Sequence, residues 1–259
     1  MENFDDLKAF FTEGYKFYRR GISIDCAIFG FEKNSLKILL SKNAILTKWS
    51  LPGGFVKTTE SLEEAAHRIT AERTGIEHLF FRQFKTFGDP QRNLVQGIFD
   101  DEKFKEITGF SVPTNTWLAE QAISVGYYAI SQITQSNIKP DLFSSECQWF
   151  DLNQIPSLAF DHNHILDEAL QSLKTHLYHF PIGKNLLPEK FTLKEIKNLY
   201  EILSGKPLHA SNFPNKLISL GLIEKTNEKK NIGAHRAPSF YTFNEEVYEK
   251  MLQDGFVLV

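Results

Sequence analysis

The chain has 259 residues, 42% apolar and 24% charged, with a formal net charge of −3. That composition describes a globular chain long enough for two domains, and its two cysteines, Cys26 and Cys147, form no CxxC or Cys/His spacing, which argues against structural zinc and suits a reducing cytoplasm. No apolar run approaches a membrane span, and the opening MENFDDLKAFF carries acidic residues where a signal peptide needs basic ones, so the expectation is a cytoplasmic protein without membrane contact.

In chain order, Phe4, Leu7, Phe10, Phe11, Tyr15 and Tyr18 recur at helical spacing and predict an N-terminal helix over 3–18. The apolar, β-rich run Ile22 to Phe31, followed by Leu36 to Leu40, predicts an antiparallel hairpin. Trp49-Ser50-Leu51-Pro52-Gly53-Gly54-Phe55 then leads by a tight glycine turn into a helix. In that helix Ser61 and Glu64 form a capping box, and Leu62, Ala65, Ala66 and Ile69 form a buried stripe. An ordinary surface helix accounts for the stripe but not for the glycine lead-in.

From Gly54 to Ile76 the stretch GFVKTTESLEEAAHRITAERTGI resembles the Nudix hydrolase signature, with Gly54, Glu60, Arg68, Glu72, Gly75 and Ile76 in register. The resemblance implies an α/β/α sandwich with a mixed sheet and, in an intact box, carboxylates that hold Mg²⁺ against a nucleoside diphosphate. Here two expected carboxylates are replaced, by Ile69 and Arg73, and Thr70 takes an apolar position. The expectation is a retained scaffold with no catalytic residue and no cofactor. Only surviving hydrolase activity would call for Mg²⁺, held by Glu72, Glu64 and Glu60.

Further strands are predicted at Leu79 to Phe87, Ile123 to Ile130 and Gln148 to Asp151, with an insertion at 93–121 that shows little periodicity. Phe87, Asp89 and Arg92 resemble a cleft-lining segment of Nudix proteins; a solvated turn at Gly88-Asp89-Pro90 is the plainer alternative. Asp161 and His162 precede a helix over 163–177, where Asp161 suits an N-cap and His162 either a ligand contact or packing.

A domain boundary is expected near 180, dividing a sensing domain (1–179) from a second domain (180–259). Thr192 and Glu195 form another capping box, opening a helix with Leu193, Ile196, Tyr200 and Leu203 buried and Gly205 as its stop. A helix from Asn212 to Leu220 and a hairpin of 222–226 with 239–243 complete the outline of a winged helix-turn-helix. Across 206–236 six cations face two carboxylates, a local balance of +4. Lys206, Ser211, Asn212, Asn215, Lys216, Lys229, Lys230, His235 and Arg236 are the candidate DNA contacts. A merely solvated lysine-rich hairpin is the bland alternative.

Together the two halves resemble the Nudix-related transcriptional regulators, the NrtR-like and AraR-like group, over nearly the whole chain. That resemblance implies an α+β protein, usually dimeric, whose winged helix binds double-stranded operator DNA. Its Nudix domain would sense a small molecule, either ADP-ribose-like or a sugar such as arabinose. The alternative is a Mg²⁺-dependent hydrolase of the ADP-ribose pyrophosphatase type.

Overall fold

A computed structural model describes residues 4–32, 35–92, 100–111, 117–119, 122–131, 133, 144–177, 184–231 and 237–254. They cluster into two units, one drawn from 1–29, 37–129 and 134–170, the other from 30–36, 130–133 and 171–259. The expected boundary near 180 falls within 178–183, outside the described residues.

In the first unit, helix α1 (Phe4–Glu13) gives way to a 3-10 turn at Gly14–Lys16, and strand β1 (Tyr18–Glu32) follows. The helix is shorter than its spacing predicts because Tyr18 is drawn into the sheet, paired with Lys57 of β4 (Gly53–Lys57). With β2 (Ser35–Asn43), β3 (Trp49–Ser50), β5 (Phe81–Phe87), β6 (Ile123–Ser131) and β7 (Ser144–Asp151) it forms a seven-stranded sheet. The order is β3-β2-β1-β6-β5, with β4 added on β1 and β7 on β2.

Helix α2 (Leu62–Thr74) starts at the anticipated Ser61–Glu64 capping box and stops at Gly75, whose φ of 70° is left-handed. Ala65 and Ala66 are small, so the helix lies close to the sheet, and with Ile69 they join Ile24, Cys26, Ile28, Leu39, Val56, Phe81 and Tyr127 in the main core. The register of β5 on β6 shifts between Gln83 and Lys85. That bulge reverses the facing of later side chains: Phe81 lies in the α2 core, whereas Phe87 meets His164 on helix α4 (His162–His176).

The 93–121 insertion carries more order than its pattern suggests. Helix α3 (Asp101–Thr108) is capped by Asp100 and ended by Gly109. Phe104 of α3 packs with Phe11 of α1 and Ile45, and Phe110 closes against both phenylalanines. Trp117 stacks on Tyr18 at 5.7 Å, meets Phe10 and Phe55, and donates its indole N–H to the Phe10 carbonyl. Its ring lies where a Cβ on Gly14 would be, so only glycine fits there. The insertion therefore secures the N-terminal helix.

In the second unit, α5 (Leu193–Ser204) has the expected Thr192–Glu195 capping box and buries Ile196, Leu199, Tyr200 and Leu203. Helix α6 (Asn212–Ser219) buries Phe213, Pro214 and Leu217, and Phe213 meets Tyr200. Strands β8 (Ile223–Lys229) and β9 (Ser239–Phe243) form an antiparallel hairpin, and Phe191 and Tyr241 exchange backbone hydrogen bonds on its other edge. A helix not anticipated from sequence, α7 (Glu245–Asp254), sets Tyr248 against Phe243. Among the described residues no helix is long and apolar enough to cross a membrane.

Phe104→Ala should destabilise the first unit by about 3–5 kcal/mol, the usual cost of emptying a buried aromatic site; urea unfolding followed by near-UV circular dichroism measures it.

Candidate functional site

Glycine turns bring the backbone of 51–54 against α2, and the matched box residues there close on one another. Arg68 donates to both Glu60 oxygens at 2.8 and 2.6 Å, to Glu72 at 3.0 Å and to the Phe55 carbonyl at 2.9 Å. Burial pushes the Glu60 carboxyl up, but Arg68 and the Lys57 backbone N–H outweigh it and hold the group below its ordinary range. Glu64, the other candidate ligand, accepts the Ser61 N–H in the capping box. Ile69 is buried on Gly54, where a Cβ would stand 3.2 Å from Ile69 Cγ1. One turn on, Arg73 donates Nε to the Gly53 carbonyl at 3.4 Å.

These residues do not fit a divalent ion. Both in-register carboxylates are held by Arg68, positions 69 and 73 present hydrocarbon and a cation, and no cluster of three His, Cys, Asp or Glu among the described residues could hold a metal.

On the other side of the glycine loop a second network is largely buried, with Asp161 its more exposed member. Arg92 grips Asp161 with two bonds of 2.9 and 3.0 Å, donates to the Ala122 carbonyl at 3.0 Å, and reaches Asp25 at 3.5 Å. His162 accepts the Leu51 N–H on Nδ1 at 2.9 Å, which leaves Nε2 to donate to Asp25, 3.3 Å away. Ser124 donates to the same carboxylate, and a Cβ on Gly53 would collide with it. Burial would push the Asp25 carboxyl up; the His162 ring, the Ser124 hydroxyl and the Arg92 guanidinium outweigh it and hold the group below its ordinary 3.8. Beside His162, Phe160 stands partly exposed at a left-handed φ of 53°, rare for an aromatic residue.

Of the predicted cleft residues, Arg92, Asp161 and His162 converge here. Phe87 does not, because the β5 bulge turns its ring to His164. Asp89 accepts the Gln91 N–H in its own turn, as the plainer alternative had it. Asp161 uses its carboxylate on Arg92 rather than as a helix cap.

In the second unit, Ser211, Asn212, Asn215, Lys216 and Ser219 form the exposed face of α6, with Phe213, Pro214 and Leu217 turned inward. Among the described residues Lys206, Lys216, Lys225 and Lys229 enter no ion pair. Lys230 instead pairs with Glu195 at the start of α5, and Lys190 with Glu228, so part of the hairpin's charge is neutralised internally. His235 and Arg236 lie outside the described residues.

Residues 19–173 match the NUDIX domain. The chain belongs to the NUDIX family. Residues 183–243 match the NrtR DNA-binding winged helix domain, so a NUDIX unit is followed by a winged helix. The ADPR responsive transcriptional repressor NtrR of Acinetobacter baylyi is 29% identical over 258 residues, covering 95% of this chain and 92% of its own. An ADP-ribose pyrophosphatase of Methanocaldococcus jannaschii is 28% identical over 159 residues, 60% of this chain and 79% of its own. Among solved structures, Shewanella oneidensis NrtR is 25% identical with a TM-score of 0.65, covering 88% of this chain and 95% of that one.

Three features of this NUDIX protein are not among the residues that sequence patterns single out. Asp25 had a legible signal: it is the one charge in the apolar run Ile22 to Phe31, and a buried charge demands partners. Ser124 had none. Ile218, 40% exposed on the α6 face, had none either, since an apolar side chain carries no sign in sequence that it faces solvent.

Asp25→Asn should cost about 3–5 kcal/mol, the usual result of breaking a buried pair. Because the folded carboxyl is depressed from 3.8, its contribution is present above that pH and is lost as pH falls through the lower folded value. Urea unfolding across this acid range should show a shallower acid loss in Asp25→Asn than in the parent chain.

Proposed function

We propose that this chain is a DNA-binding transcriptional repressor whose NUDIX unit senses ADP-ribose. The observation that carries the reading is likeness to an ADPR responsive repressor along almost the full length of both chains. Two features of the site support it. The box lacks the carboxylates that would hold a catalytic ion, so a diphosphate ligand can be bound without being cut, and the exposed face of α6 carries amide, hydroxyl and ammonium groups suited to base edges and phosphates. The sugar alternative has no comparable support.

In this reading the protein acts as a cytoplasmic homodimer on double-stranded operator DNA, each α6 entering a major groove. ADP-ribose alters DNA affinity only insofar as it binds the DNA-competent arrangement more weakly than the other.

The test begins with operator fragments selected from random duplex DNA and measured by fluorescence anisotropy. Lys216→Ala should weaken binding to all sequences alike and lower the salt slope by about 1, as loss of one phosphate contact does. Asn215→Ala should relax preference at one base position, with a discrimination loss of about 1–3 kcal/mol. ADP-ribose should release the DNA, with no AMP formed in Mg²⁺. Absence of salt-dependent DNA binding would reject the repressor, and AMP release abolished by Glu72→Gln would favour the hydrolase.

A further inference from the structure

We infer that Ile218 reads the C5-methyl group of a thymine in each operator half-site, close to the adenine that the Asn215 amide suits. The inference rests on the repressor reading and adds to it the base that this apolar side chain selects.

Exposure singles the residue out. Ile218 is 40% exposed, and among the described residues it is the only large apolar side chain of the second unit that stands open to solvent. The other apolar residues of α6 are spent on the core: Phe213 meets Tyr200, and Leu217 is fully buried. A single exposed isoleucine is ordinary on a protein surface, so its setting must decide. It shares the outer face of α6 with Asn212, Asn215, Lys216 and Ser219, and Lys216 enters no ion pair among the described residues. A face that combines amides, a hydroxyl and a free ammonium suits a polyanion with legible edges better than an apolar protein surface.

Helix geometry then assigns the positions. At about 100° per residue, Lys216 and Ile218 fall on opposite flanks of the outer face, with Asn212, Ser219 and Asn215 between them. Eight residues make a helix about 12 Å long, close to the width of a B-DNA major groove, so the whole face fits within it. One flank carries an ammonium to a phosphate. The other brings hydrocarbon to the base edges.

Of the groups that tell the bases apart in that groove, only the thymine methyl is apolar. The others are donors and acceptors, which an isoleucine would strip of water without replacing their hydrogen bonds. Ile218 therefore favours thymine twice, by burying its methyl and by penalising the alternatives. Because it is β-branched, its χ1 has one strongly preferred value on a helix, and little rotamer freedom is lost on contact. Its carbonyl accepts the Gly221 N–H, which ties down the end of the helix. Asn215 and Ile218 lie roughly 4.5 Å apart along the axis, against about 3.4 Å between base pairs. The thymine should thus stand one or two base pairs from the adenine.

The test takes the selected operator, replaces each thymine in turn by deoxyuridine, and reads affinity by fluorescence anisotropy. The replacement deletes the methyl and keeps every hydrogen bond. In each half-site one replacement should weaken the parent chain about 4-fold, the worth of one buried methyl. Ile218→Ala should bind the thymine operator more weakly and ignore deoxyuridine at that position, with the salt slope and unfolding midpoint of the parent chain. Ile218→Val should keep part of the preference. A deoxyuridine effect equal in the parent and in Ile218→Ala would overturn the proposal and leave the repressor reading standing, as would a parent chain indifferent to every replacement. Thymine sensitivity retained in Ile218→Ala, together with altered sedimentation, would put a second copy of this chain on that face instead. Absence of salt-dependent binding to any duplex would reject the repressor reading, and the proposal with it.

Discussion

One buried guanidinium constrains the NUDIX unit more than any other group. Arg92 is withdrawn from water, so its charge and its five donors must be met by protein. Asp161 meets it from the start of α4, Asp25 from the middle of β1 and the Ala122 carbonyl from the approach to β6. Asp25 in turn needs His162 and Ser124, and His162 holds the Leu51 N–H. Segments far apart in sequence are thus tied at one point, and each tie exists because a neighbouring charge would otherwise be buried alone. Networks of this kind tolerate little partial satisfaction. The glycine at 53 belongs to the same constraint, since any side chain there would displace the Asp25 carboxylate.

Against that fixed floor, the helix that carries the box has changed its chemistry while keeping its packing. Ile69 extends the apolar stripe onto Gly54 and joins the main core, a gain in burial at a place where an ion would need oxygen ligands. Glu60 and Arg68 serve the loop: the carboxylate accepts the Lys57 N–H and the guanidinium donates to the Phe55 carbonyl, which pins the turn before α2. Architecture and catalysis thus separate residue by residue, which is why membership of a fold family does not by itself assign an activity.

The same separation decides what could be read from sequence. Both capping boxes, the α2 stripe, the helix-helix-hairpin order and the outward residues of α6 were legible because each depends on local spacing alone. Misreadings arose where distant partners intervene. Tyr18 left its helical pattern for a strand partner, and Phe87 changed face through a bulge at Phe84 that no alternation reveals. Asp161 met Arg92 across the fold, so its capping role, argued from position, gave way to a charge 69 residues distant. The insertion looked featureless because its anchors, Phe104 and Trp117, are spaced to fit α1 rather than each other.

The placement of tryptophan has a spectroscopic consequence. All three, Trp49, Trp117 and Trp149, lie in the part of the chain that matches the NUDIX domain, and the part that matches the winged helix has no tryptophan, its tyrosines being Tyr200 and Tyr241. Red-edge excitation therefore illuminates one domain and leaves the other dark. Trp117, enclosed by Tyr18, Phe10 and Phe55, is an emitter already embedded at the border of the box. The protein carries its own optical label for the effector side, and events confined to the DNA-binding side are invisible to it.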